Sequence, residues 1–122
     1  KKSVGEHCLA DGWHDDYVLD DSALVYKQKD GIYIITGCSH TGICNIAEYA
    51  KQVTGCRVIK SIIGGLHLFS GHSQQTVATV DYLKQNVEGT IYPCHCTNLA
   101  AKFALHAQLP VHEVGVGLTL EW

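Results

Sequence analysis

The chain has 122 residues, a formal net charge of −3 and an isoelectric point near 6.2. Its 46% hydrophobic and 17% charged residues are the composition of one small folded domain with a real core, which excludes a disordered chain. Basic residues form no stripe interleaved with aromatics, and no apolar run approaches the roughly 20 residues of a spanning helix, so neither nucleic acid nor a membrane is an expected partner.

Residues 1–22 read as an irregular segment. Gly5, Gly12 and the acidic group Asp15, Asp16, Asp20 and Asp21 are loop residues. That group is either a solvated turn or a source of a carboxylate near a metal edge. Ala23-Leu24-Val25-Tyr26 is a short strand, and Asp30-Gly31 signals a hairpin into Gly31-Ile32-Tyr33-Ile34-Ile35-Thr36. The second run is apolar on both faces, as in a central, covered strand.

A polar loop, Gly37-Cys38-Ser39-His40-Thr41-Gly42, follows. Asn45 is placed to cap a helix over 45–54 whose inward face is Ile46, Tyr49, Ala50 and Val53. The next strand ends at Ile62-Ile63-Gly64-Gly65, ahead of His67. A helix is expected over 73–86, with Val77, Val80, Leu83 and Val87 inward. Thr90-Ile91-Tyr92-Pro93 is a short strand running into Cys94-His95-Cys96-Thr97. Thr97 or Asn98 caps a last helix over 98–108, with Leu99 and Phe103 on related faces, and Pro110 ends that segment. Val111 to Trp122 alternates around Gly115 and Gly117 as one or two strands. The order β-β-α-β-α-β-α-β describes a layered α/β domain with a parallel segment.

Six Cys and eight His are many for this length. No Cys-x-x-Cys pair is present, which argues against a zinc ribbon or finger. Regular apolar elements separate the cysteines, so reduced thiols in a cytoplasmic protein are expected rather than a disulfide framework. Met is absent even at position 1. The expectation is a chain that does not begin where its reading frame does.

Three strand ends each carry a His, and open α/β sheets place their ligands at such an edge. His40, in a Gly-flanked loop, is a candidate metal ligand, and Cys38 a weaker one, because imidazole and thiolate both suit zinc or iron. Alternation along an extended stretch sends His95 to one side and Cys94 and Cys96 to the other. On that reading His95 is the ligand and the two thiols are not. His67, after two glycines, binds metal, contacts substrate or supports a ligand. Thr97 is an N-cap or a substrate or outer-shell contact. Cys38 paired with His40 or His95 also has the residue types of a nucleophile and its base, without a third orienting group.

Taken together, Thr36-Gly37-Cys38-Ser39-His40-Thr41-Gly42-Ile43-Cys44-Asn45, Gly64-Gly65-Leu66-His67-Leu68 and Pro93-Cys94-His95-Cys96-Thr97 resemble the C-terminal half of a metallo-β-lactamase-fold protein. The similar branch is the dihydropterin ribofuranosylaminobenzene phosphate synthase-like group of metal-dependent hydrolases. Asp20-Asp21-Ser22-Ala23-Leu24 resembles the acidic segment ahead of its Gly-Cys-Ser-His loop. The resemblance implies residues 23–122 as half of an αββα sandwich with one or two metals at its edge. Zinc is the first expectation, with iron or manganese as alternatives. It implies a metal-activated water acting on a phosphate-bearing or pterin-like small molecule. It also implies His40 and His95 as ligands, with Cys38 where many members carry a bridging Asp.

Two departures stand out. Asn98 replaces the usual Gly after His-Cys-Thr, and the superfamily's His-x-His-x-Asp-His motif is absent. That motif belongs to an N-terminal half. The expected partners are therefore that half or a companion chain, or self-association, and the chain by itself is expected to be inactive. The alternative is a non-catalytic metal-binding or assembly domain that keeps the fold without the chemistry.

Overall fold

The structure, a computed structural model, describes residues 3–122. It opens with a hairpin, β1 (Gly5–Leu9) and β2 (Gly12–Asp16), paired antiparallel with His7 opposite His14. This corrects the expectation of an irregular segment over 1–22. Ala10-Asp11 forms the two-residue turn, and Gly12, which opens β2 opposite Leu9, adopts a φ of +132°. Neither strand buries a residue, so no apolar alternation marks them.

β3 (Ala23–Lys27) and β4 (Ile32–Thr36) form the expected hairpin, closed by a Gln28 N–H to Gly31 carbonyl bond of 2.8 Å. There follow α1 (Ile43–Thr54), β5 (Ile59–Gly64), α2 (Gln74–Asn86), β6 (Ile91–Pro93) and α3 (Leu99–His106). The main sheet runs β3-β4-β5-β6, with β4, β5 and β6 parallel and β3 antiparallel at one edge.

One core cluster joins Ile32, Ile34, Ile59, Ile62 and Ile91 of the sheet to Ala47 and Ala50 of α1, Val80 and Leu83 of α2, and Ala101 and Leu105 of α3. All three helices therefore cover the same sheet face. This is one helix layer on one sheet, half of an αββα sandwich. The opposite face carries a second apolar row. Leu24, Ile35, Ile63 and Tyr92 stand side by side across the four strands, and Leu24 and Ile35 are exposed. β4 is central as expected, but it is covered on one face only.

Several elements depart from the sequence pattern. α1 starts at Ile43 behind Gly42, and the Asn45 amide bonds back to the Thr41 carbonyl at 2.6 Å instead of capping. Ile43, Ala47 and Ala50 point inward, while Tyr49 and Val53 are exposed. Two apolar stripes compete on this helix, and the alanine stripe allows the closer approach to the sheet. In α2, Thr76 and Thr79 take inward places and Val77 faces out. Thr76 is admitted because its hydroxyl donates to the Ser70 carbonyl. In α3, Ala101 and Leu105 are buried and Leu99 and Phe103 are not.

The expected final strands reduce to one bridge, Ile91 to Val111. Beyond it the chain is irregular, and the Trp122 ring stacks on Tyr33 at 4.7 Å. The observed order is thus β-β-β-β-α-β-α-β-α. Among the described residues no helix is long and apolar enough to cross a membrane.

Candidate metal centre

β4, β5 and β6 end in register, Thr36 beside Gly64 beside Pro93. The three loops that follow share one edge and are laced by backbone bonds. Gly65 N–H donates to the Gly37 carbonyl at 2.8 Å, Cys94 N–H to Gly64 at 3.0 Å, and Leu68 N–H to Cys96 at 3.0 Å. The Thr36 and Ser39 hydroxyls meet at 2.9 Å.

Positive φ angles concentrate here. Of the four non-glycine residues with positive φ among those described, Ser39 (60°), His67 (50°) and Cys96 (46°) sit one in each loop. Such conformations cost of order 1–3 kcal/mol each and persist where surroundings over-determine them. The two glycines are equally constrained. A Cβ on Gly64 would collide with the Thr36 carbonyl oxygen, and one on Gly65 would lie 2.5 Å from Cys96 Sγ and 2.8 Å from His95 Nε2.

That packing assembles a donor cluster. Cys38 Sγ lies 3.2 Å from His95 Nε2, and the ligand atoms of Cys38, His95 and Cys96 all lie within 4.8 Å of one another. Cys38 and Cys96 are half-buried and His95 is exposed, so the cluster is reachable from solvent. His95 Nδ1 faces Cys94 Sγ at 3.6 Å. The expected alternation of His95 and Cys96 to opposite sides fails, because residues 94–97 turn rather than extend and Cys96 is left-handed. Cys96 is the residue that sequence reasoning set aside. Only five residues separate Pro93 from Leu99 at the head of α3, a gap too short for a straight continuation of the strand.

The other candidates occupy the same edge in different roles. His40, expected as a ligand with His95, is not in the three-residue cluster. Its ring meets His67 edge-on at 4.6 Å, and His67 in turn meets Phe69 at 4.8 Å. His67 Nδ1 is buried and has no hydrogen-bond partner among the described residues. Thr97 does not cap α3. Asn98 does, accepting from Ala101 N–H at 2.8 Å. The buried Thr97 hydroxyl accepts from Leu66 N–H at 3.0 Å and donates to the His95 carbonyl at 3.3 Å, pinning the His95 loop to the β5 loop.

Asp21 reaches the same edge. Its Oδ2 accepts from both the N–H and the hydroxyl of Thr41, each at 2.9 Å. The β3–β4 pairing places it there, since Ala23 lies opposite Thr36. Burial lowers the His67 pKa, the neighbouring His40 charge adds to this, and Asp21 opposes it. Burial pushes the Cys96 thiol up, and the Cys38 and Cys94 charges reinforce the rise. A bound cation reverses that preference, because a thiol on a metal is deprotonated. All six cysteines are unpaired.

Beside the histidine pair lies a cleft of about 870 Å³, lined by His40, Thr41, Asn45, His67, Gln75 and Tyr82 among others. Two thiols and an imidazole suit a divalent metal, and an adjoining polar cleft suits a small ligand.

No family model matches the chain. An uncharacterised protein of Methanocaldococcus jannaschii is 41% identical over 95 residues, 77% of this chain and 34% of that protein. The 7,8-dihydropterin-6-methyl-4-(beta-D-ribofuranosyl)-aminobenzene-5'-phosphate synthase of the same organism is 31% identical over 87 residues, 71% of this chain and 30% of that enzyme. The crystal structure of a metal-dependent hydrolase of the beta-lactamase superfamily superposes with a TM-score of 0.86 at 30% identity, over 100% of this chain and 49% of that one. The chain thus spans about a third of the curated relatives it matches and half of the solved structure. It carries half of a metallo-β-lactamase fold and, within that superfamily, resembles the dihydropterin ribofuranosylaminobenzene phosphate synthase-like branch.

Proposed function

We propose that this chain supplies one side of the active site of a metal-dependent hydrolase acting on a phosphate-bearing or pterin-like small molecule. One observation carries the reading. Three parallel strands end in register and bring Cys38 Sγ to 3.2 Å from His95 Nε2 at the open edge of the sheet. Cys38 and His95 would hold a divalent metal, zinc before iron or manganese by the softness of the donors. The chemistry such an ion supplies is Lewis-acid activation of water and of the bond to be split.

The chain's own residues do the rest. Thr97 holds the His95 backbone, and Cys94 at Nδ1 orients the ring. Burial keeps His67 neutral near pH 7, so it offers one donor and one acceptor. His40, Asn45, Gln75 and Tyr82 line the cleft with groups that hydrogen-bond phosphate or a pterin edge. The remaining half of the sandwich, in the same polypeptide or a companion chain, covers the Leu24–Ile35–Ile63–Tyr92 row and completes the pocket. The solved neighbour is about twice as long as the stretch it shares with this chain, which supports that occupant.

Metal analysis of the full protein tests the reading. Near-stoichiometric metal is expected, lost in Cys38→Ser and His95→Ala and kept in His40→Ala. Metal that survives both of the first two substitutions would refute it. A second reading, a metal-binding domain without catalysis, is favoured by Asp21, the carboxylate of this edge, being engaged by Thr41. Metal binding without hydrolysis of any phosphate ester by the full protein would select it.

A further inference from the structure

We propose that Cys96 is a third protein ligand of this metal, so that Cys38, His95 and Cys96 form a thiolate-rich site selective for zinc-like ions over magnesium. The inference rests on the reading that this edge holds a metal, and it adds a ligand that the strand pattern assigns to the opposite side.

Four observations support it. First, Cys96 lies in a left-handed conformation, φ 46°, which a β-carbon-bearing residue adopts at a cost. That conformation turns its side chain toward the same side as His95. Second, the donor atoms of all three residues fall within 4.8 Å of one another, the spacing of ligands around one small cation. Third, residue 65 has no side chain. The space its Cβ would fill is taken by Cys96 Sγ at 2.5 Å and His95 Nε2 at 2.8 Å, so both donors crowd one spot above the β5 terminus. Fourth, the Cys96 thiol reaches the Cys38 carbonyl at 3.4 Å and bonds as well to the His67 backbone and the Cys38 side chain, which ties the sulfur to the Cys38 and His67 loops.

The donor set decides the metal. Two thiolates and an imidazole are a soft set that suits zinc, cobalt or ferrous iron, whereas magnesium requires hard oxygen ligands. Three ligands from this chain leave a fourth tetrahedral position for water, substrate or a ligand from the remaining half of the sandwich. Loading the site breaks two S–H bonds and releases both protons to the buffer.

The test uses the full protein, stripped of metal, kept reduced and titrated with cobalt(II) and then zinc(II). The thiolate-to-cobalt charge-transfer absorption reports sulfur ligands independently of any activity. In Cys96→Ser the absorption should fall to roughly half, one thiolate of two remaining. Zinc affinity should fall by more than the roughly 10–100-fold typical of an outer-shell partner. Cys56→Ser, ahead of β5 and at the far end of that strand from the site, should leave the charge-transfer absorption unchanged. Cys96→Asp, which tolerates the left-handed backbone, should bind zinc and lack half of the absorption. It also serves if the serine variant misfolds.

Full absorption and full zinc affinity in both Cys96 variants would overturn the inference. If Cys38→Ser and His95→Ala still lost metal in that case, the broader reading of the edge would stand. Metal binding indifferent to all of these changes would remove both.

Discussion

Two neighbouring rows of the same sheet have nearly the same chemistry and opposite surroundings. Val25, Ile34, Ile62 and Ile91 lie side by side under the helices, and Ile34, Ile62 and Ile91 are 0% exposed. One residue away along each strand, Leu24, Ile35, Ile63 and Tyr92 form the second row, where Leu24 is 71% and Ile35 41% exposed. An antiparallel sheet with a wet face shows polar residues there. This row carries three apolar residues and Tyr92 instead, the composition of a face that the remaining half proposed above would cover. The first row holds the chain together, and the second leaves apolar surface on its outside.

The largest expected effect comes from paired substitutions across these rows. Ile34→Ala should destabilise the chain by about 2–5 kcal/mol in urea unfolding, through lost burial and a cavity. Ile35→Ala, the same change one residue on, should cost about 0.5 kcal/mol or less in this chain alone. In the assembled protein the second cost should climb toward the first. Equal costs in the isolated chain would break the comparison.

Gly65→Ala comes next. Its methyl would press on Cys96 Sγ and His95 Nε2, and such overpacking costs about 1–3 kcal/mol. Metal affinity, measured by competition with a chromophoric chelator, should drop with it. A variant that unfolds at the same urea concentration and binds metal normally would show that the two donors do not share that space.

His67 sets a smaller, pH-dependent term. Its folded pKa lies below the unfolded value of about 6.5, so the unfolded state takes up the proton first as pH falls. Its contribution is therefore in place above about pH 6.5 and is lost as pH falls through and below that value. His67→Asn, which keeps a left-handed-tolerant residue, should flatten the acid side of the stability profile. An unchanged profile in urea melts at about pH 5 and pH 8 would assign the acid sensitivity elsewhere.

These expectations also show what the sequence displays and what it hides. The strand bodies β3 to β6 and the placing of three His-bearing loops at one edge are legible, because β-branched runs and Gly punctuation act locally. The approach of Cys38 to His95 at that edge was legible for the same reason. The place of Cys96 beside them was not, because the alternation rule holds only while the backbone stays extended, and a left-handed residue ends it. Helix faces were misread where alanine and threonine stripes displaced larger residues. Tyr49, Val53, Leu99 and Phe103 follow helical spacing, yet they face out because Ala47, Ala50 and Ala101 let their helices sit closer to the sheet. The β1–β2 hairpin buries nothing, so its residues carry no periodic mark. The pairing of His40 with His67 depends on the third dimension alone.

The smallest effect on stability is also the most specific probe of the second row. Leu24 is the most exposed member of that row for which exposure is decided by the sheet edge, at 71%. Leu24→Lys buries no charge in this chain, so its unfolding free energy should move by no more than about 0.5 kcal/mol. Against a second apolar sheet the same lysine would have to be desolvated without a partner, which strongly opposes docking. Supplying the other half of the fold in trans and following complex formation by light scattering separates the two costs. Association of wild type but not Leu24→Lys, at equal chain stability, is the expected result. Equal association of both would mean that the partner sits elsewhere and that this row is merely a tolerated apolar surface.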